Sequence, residues 1–180
     1  NQIRDDALLI SHMSAAQGMM RSQQNGGIDP EGDGTTADFE KRLSITFEEM
    51  LETRGRYLRL RVIGVADDGK ELLSVERFGS QIQRVPDSKL LPKGSEAFFK
   101  GTIKLNPGEV YISPPDLRRE NGRLTEPHVL LLRVATPLYT ADKELFGIVT
   151  IGVDFSLILG DLRKELLAGR ILYITNDSGD

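Results

Sequence analysis

The chain has 180 residues, a net charge of −4 and 39% apolar residues, enough for one domain with its own core and no covalent staples. It has no Cys, which excludes disulfides, thiolate metal sites and Cys nucleophiles. Its 23 Lys and Arg are spread along the chain among 27 Asp and Glu, without the basic face of a nucleic-acid binder, and no apolar run approaches the roughly 20 residues of a membrane span.

Residues 3–24 are predicted as one helix, because Ile3, Ala7, Ile10, Met13, Ala16, Met19 and Met20 recur near helical spacing, with Leu8 and Leu9 broadening the stripe. Residues 25–36 hold four Gly and one Pro and read as a flexible loop. Thr36 is expected to cap a second helix over 37–53, with Phe39, Leu43, Phe47, Met50 and Leu51 on one side. Residues 57–66 and 70–78 alternate as strands around Asp67-Asp68-Gly69, a hairpin turn in which Gly supplies positive φ. Residues 81–91 are polar and irregular. Pro92 or Ser95 opens a helix running to about Leu105, and Asn106-Pro107-Gly108 ends it. Residues 109–113 make a short strand stopped by Pro114-Pro115, and 116–127 a charged loop. Two long strands follow, 129–138 and 145–154, joined by a turn at 141–144. A helix over 155–167, ended by Ala168-Gly169, precedes a last strand at 170–175 and a turn at 176–180. Strands joined by such short turns are antiparallel. The expected fold class is therefore α+β, a five- to six-stranded antiparallel sheet flanked by helices, with a long N-terminal helix.

Three segments carry a resemblance when taken in order. They are 57–64 (YLRLRVIG) with 68–75 (DGKELLSV), then 108–122 (GEVYISPPDLRRENG), then 132–138 (LRVATPL) with 145–154 (LFGIVTIGVD). Together they resemble the double-Cache, PAS-like extracytoplasmic sensor domains of prokaryotic receptors. The resemblance implies an N-terminal helix and loop over 1–36 and a membrane-distal ligand-sensing lobe over 37–180, with membrane spans and a second lobe outside this sequence. It implies a sensing role in the periplasm or outside the cell, and output through a histidine kinase, a diguanylate cyclase or a chemotaxis receptor. The domain itself would not be an enzyme. The chain departs from amino-acid-binding members of that family. Phe98-Phe99 stands where they carry Trp-Tyr, Glu96 where they carry Arg, and Ser74 where many carry Arg. Asp154 matches the family's pocket aspartate, which implies an amine-binding role.

Arg133 interrupts an apolar strand, 129–135. A charge there is costly unless paired or wetted by a cavity, so it reads either as an anion-holding group or as an outward Arg paired on a neighbouring strand. Asp154 reads as a ligand contact or as the N-cap of the helix after it. Tyr111 and Ser113 share a strand face and line either a pocket or the core. Phe98 and Phe99 are adjacent and cannot share a helix face; Phe99 is taken for the pocket and Phe98 for the core. Lys100, Arg118 and Arg119 are placed to close over an anion or to stay solvated on the surface. Asp29, Glu31, Asp33, Gly34 and Glu40 fall at calcium-loop positions, but Thr36 replaces the usual apolar residue and no helix directly precedes the loop. His12 and His128, the only histidines, lack ligand spacing. No phosphate loop, nucleophile elbow or kinase signature is present. The expected partners are a small polar or anionic metabolite, bound with no cofactor or metal, and a second copy paired through the N-terminal helix.

Overall fold

The structure, a computed structural model, describes residues 2–32, 34–120, 123–124, 126 and 128–165. The strand expected at 170–175 and the turn after it lie outside the described residues.

The N-terminal segment folds as two helices, α1 (Gln2–His12) and α2 (Ser14–Gln24), not one. The break falls at Met13, whose backbone is extended (φ −63°, ψ 140°). Polar side chains compete with the helix there. The Ser11 hydroxyl donates to the Leu8 carbonyl, and the Gln17 amide reaches back to the freed carbonyl of Ser11. The break turns α2 across α3 (Thr36–Thr53), so that Gly18 lies under the Phe39 ring, where a Cβ would sit 2.3 Å from a ring carbon. Thr35 caps α3, not Thr36; its hydroxyl accepts from the Asp38 amide while Asp38 accepts from the Thr35 amide. That reciprocal pair is a capping box.

The intervening segment is not the flexible loop expected. The Gly27 amide donates to Ser22, the Asp29 amide to Gly34 and the Thr36 amide to Gly27. Arg21 grips both oxygens of the buried Asp29 carboxylate, at 2.8 and 2.7 Å. Those oxygens are the first ligands a calcium loop needs, and here they are already taken.

Among the described residues one antiparallel sheet has strand order β3-β2-β1-β9-β8-β4, with β5 also on β8, seven strands in all. These are β1 (Tyr57–Gly64), β2 (Glu71–Phe78), β3 (Gln81–Arg84), β4 (Tyr111–Ile112), β5 (Asp116–Leu117), β8 (Leu130–Tyr139) and β9 (Leu145–Asp154). β6 (Arg119–Glu120) and β7 (Arg123–Leu124) form a separate ribbon. The hairpin between β1 and β2 closes through a single turn, α4 (Ala66–Gly69), with Asp67, Asp68 and Gly69 all at positive φ. The segment read as irregular after β2 pairs instead as the edge strand β3, and the charged loop at 116–127 contains β5, β6 and β7.

The two faces of the sheet differ. Leu60, Val62, Leu73, Val75, Val134, Val149, Ile151 and Val153 form one core with α1, α2 and α3. The apolar stripe of the N-terminal segment (Ala7, Ile10, Ala16, Met19, Met20) is buried in that core. The stripe expected to pair two copies is therefore used within the chain. The opposite face carries only a small cluster, Ile63, Phe98, Phe99 and Ile148, under α5 (Ala97–Thr102). α5 is shorter than the helix predicted to run to Leu105. α6 (Phe155–Glu165) follows β9 and is fastened to the start of β1 by an Arg56–Asp161 ion pair.

Candidate functional site

A β-bulge prepares the sparsely covered face. Between Tyr57 and Arg59 the pairing of β1 with β9 slips by one residue, at Leu58. Tyr57 thus points to the helical core, while Leu58, Arg59 and Arg61 all line the other side. Bulges re-aim side chains in this way beside functional sites. On that face Gly152 lies between its two register partners, Arg59 on β1 and Arg133 on β8. With no side chain at the centre of the row, the floor stays open.

Two walls rise from this floor. The segment before α5 is stapled to the hairpin turn. The Gly94 amide donates to Asp68, the Lys93 amide to Gly69, and Gly69 passes so close that a Cβ there would lie 2.7 Å from the Gly94 nitrogen. This sets Leu91, Lys93, Glu96 and Phe98 along one wall. The second wall is a strap, 116–119, hung on β8 through β5 and through the Arg118 amide, which donates to Val129. Floor and walls enclose a cleft of about 330 Å³, a volume suited to a small metabolite.

The chemistry of the cleft is basic. Arg59, Arg61, Lys93, Arg118, Arg119 and Arg133 line it against Glu96 and Asp116. Arg61, 6% exposed, is oriented from beneath by Glu71 at 2.9 Å, and the other Glu71 oxygen takes the Leu91 amide, tying guanidinium and wall to one buried carboxylate. Arg59 is held by Glu76. The Arg61 Nε is buried without a hydrogen-bond partner among the described residues. The Arg61 and Arg133 guanidiniums lie 5.2 and 5.4 Å from the Phe98 ring centroid, within cation–π range. The Arg133 guanidinium makes no ion pair with any described side chain. Burial, then the Arg61 charge, hold it below the usual arginine value, with Glu96, Asp116 and Tyr111 pulling the other way. Burial likewise lowers the Lys93 ammonium, opposed by Glu71 and reinforced by Arg61. Cations held at a disadvantage in a cleft mark a candidate anion site.

Of the cations singled out from sequence, Arg133, Arg118 and Arg119 line the cleft. Arg133 faces the pocket and not an ion-paired edge. Phe98 and Phe99 exchange the roles expected: Phe98 lines the cleft, and Phe99 packs in the core beneath the hairpin turn. Tyr111 packs against α5 at Gly101, where a Cβ would lie 2.5 Å from its ring. The Ser113 hydroxyl accepts from the Arg133 amide and donates to Pro114, which fixes the backbone that carries Arg133. Asp154 caps α6, accepting from the Ser156 and Leu157 amides at 2.9 and 3.4 Å, and is absent from the cleft lining. Lys100 is exposed and also outside it. Missed from sequence were Arg59, Arg61, Glu71, Lys93 and Gly152. The signal available for the two arginines was their alternation on one strand face, which also describes an ordinary solvated strand. Among the described residues no cluster of metal-ligating side chains is found, and no helix is long and apolar enough to cross a membrane.

The fold, an antiparallel sheet with helices packed on one face, is shared with solved domains of sensory proteins. The structure superposes on the domain of a sensory box/GGDEF family protein from Vibrio parahaemolyticus with a TM-score of 0.72 at 17% identity, over 89% of this chain and 55% of that one. It superposes on the extracellular domain of a histidine kinase with a TM-score of 0.71 at 18% identity, over 89% and 52%. The ligand-binding domain of the Campylobacter jejuni chemoreceptor Tlp3, in complex with L-valine, gives 0.52 at 12% identity, over 88% and 60%. The chain thus spans about half the length of the first two, and at these identities the likeness is one of fold. No family model and no curated protein sequence matches the chain.

Proposed function

We propose that this chain is the membrane-distal sensing lobe of a prokaryotic transmembrane receptor, facing the periplasm or the cell exterior and recognising a small anionic metabolite in the cleft over Gly152. The observation that carries this reading is the Arg133 guanidinium, partly buried in the cleft lining beside Arg61 and without an ion pair to any described side chain. A folded chain leaves buried polar groups unsatisfied at a cost of about 1–3 kcal/mol each, and a bound anion relieves that cost.

The cleft is also connected to α1, the N-terminal helix through which the sensing reading carries its output. β1 carries Arg59 and Arg61, and its first residue, Tyr57, donates a 2.6 Å hydrogen bond to the buried Asp6 on α1. Arg54, at the end of α3, joins the same carboxylate at 3.3 Å. A ligand that draws the strap and the 91–98 wall together over β1 changes the seat of α1 through this link. The effect equals the difference in ligand affinity between the two arrangements.

A thermal-shift screen over carboxylates, amino acids, amines and purines tests the reading. The expected outcome is a rise in melting temperature with an anionic compound, lost in Arg133→Gln. If no compound shifts the transition, or the shift survives Arg133→Gln, the cleft is not the sensing site and a protein-docking role becomes the better account.

A further inference from the structure

The charge of the cleft is more specific than its sign. Six basic side chains line it beside the carboxylates Glu96 and Asp116, with Glu71 and Glu76 behind Arg61 and Arg59. Of the six, Arg133 makes no ion pair with any described side chain. The cations also differ in surroundings. Arg61 is buried, Arg133, Lys93 and Arg118 are half-buried and Arg119 is exposed, and of these Arg61 and Arg133 lie against Phe98. Among the described residues the lining holds no buried carboxylate to seat an ammonium. Glu96 and Asp116 are both exposed, and Asp154 spends its carboxylate on the cap of α6.

We propose that the ligand of this cleft is a linear dicarboxylate, with one carboxylate seated between Arg61 and Arg133 beside Phe98 and the other held by Lys93 and the strap arginines Arg118 and Arg119. This rests on the cleft being the sensing site. The inner seat offers the Arg133 guanidinium, which makes no ion pair with a described side chain, beside that of Arg61, and such forks match the two oxygens of a carboxylate. The outer seat belongs to the strap, so a second carboxylate is what draws the strap shut. A single-headed ligand fills the inner seat and leaves the strap unengaged. A ligand of that kind gives binding without closure.

Isothermal titration calorimetry with succinate, glutarate and adipate tests this, with butyrate, L-valine and sulfate as comparators. At least one dicarboxylate is expected to bind about 100-fold more tightly than butyrate, the scale of one charge-assisted contact set. Arg133→Gln is expected to weaken dicarboxylate and butyrate alike. Lys93→Gln weakens the dicarboxylate by about tenfold or more and leaves butyrate unchanged. Butyrate or L-valine binding as tightly as every dicarboxylate overturns the two-headed ligand while the sensing site stands. Sulfate matching the best dicarboxylate overturns the two separated seats. Silence from all six compounds overturns the dicarboxylate, and a rise in melting temperature with another anion in the wider screen would still leave the sensing site standing.

Discussion

Replacing Arg133 with Met isolates the cost of keeping a cation unmatched. The two guanidiniums lie 5.2 and 5.4 Å from one ring centroid, so they are no more than about 11 Å apart. At an effective dielectric constant of about 20, two unit charges at that distance repel by about 1.5 kcal/mol. Relief of the desolvation of Arg133 adds to what Met gains. Loss of the cation–π contact subtracts about 0.5–1 kcal/mol, and loss of the attraction from Glu96 and Asp116 subtracts more. Met fills the same stem volume along the sheet. The balance is about 1 kcal/mol in favour of the variant, a rise of about 2–4 °C in melting temperature for a domain of this size. Scanning calorimetry of the ligand-free proteins measures it, with a second scan of each in a saturating dicarboxylate. Arg133→Met is expected to melt higher than the parent when empty and to lose the ligand-induced rise. An empty variant that melts several degrees lower makes Arg133 a structural residue, and a retained ligand response removes it from the site.

Gly147→Ala places a Cβ 2.3 Å from the Ile63 carbonyl oxygen, a backbone atom that cannot swing aside; thermal unfolding should show a loss of about 1–3 kcal/mol. Tyr57 is held protonated above its ordinary value by burial, then by its bond to Asp6. Its contribution is therefore complete below the unfolded value near about pH 10 and is lost as pH rises beyond it. Tyr57→Phe should melt lower at neutral pH but decline less steeply in alkaline solution. Asp29 is held low by its hydrogen bonds from Arg21, so its contribution is present above the ordinary Asp value of about 4 and is lost as pH falls through the depressed one. The melting point of Asp29→Asn should lie below the parent at neutral pH and converge with it in acid, and millimolar calcium should leave the parent unchanged.

The long strands were legible because alternation and turn chemistry agree there. Residues 57–64 and 71–78 flank three consecutive turn formers, and 130–139 and 145–154 are apolar enough to be central. Arg133 was legible for the same reason, as a charge in a run that has none. Arg59 and Arg61 were not, because a strand with every second residue basic reads as half solvated. Only the 91–98 wall and the strap, brought in from distant parts of the chain, cover them. The bulge at Leu58 leaves no mark in sequence, yet it sets which face Tyr57 and Arg59 take. The break at Met13 also went unseen, since no Gly or Pro stands there and the competing bonds come from Ser11 and Gln17. Phe98 and Phe99 could not be told apart until the start of α5 at Ala97 set the helical phase. Asp154 satisfied both of its readings in sequence, and the cap prevailed because the Ser156 and Leu157 amides lie within reach of its own side chain.

Amide chemical-shift mapping during titration with succinate, glutarate or adipate tests the central claim most directly. The account predicts shifts concentrated at Arg59 to Arg61, Lys93 to Phe98, the strap around Arg118, Arg133 and Gly152. A weaker response should follow at Asp6 and Tyr57. Shifts gathered instead on the exposed sides of α2 and α3, or no shifts with any of the three, would contradict it.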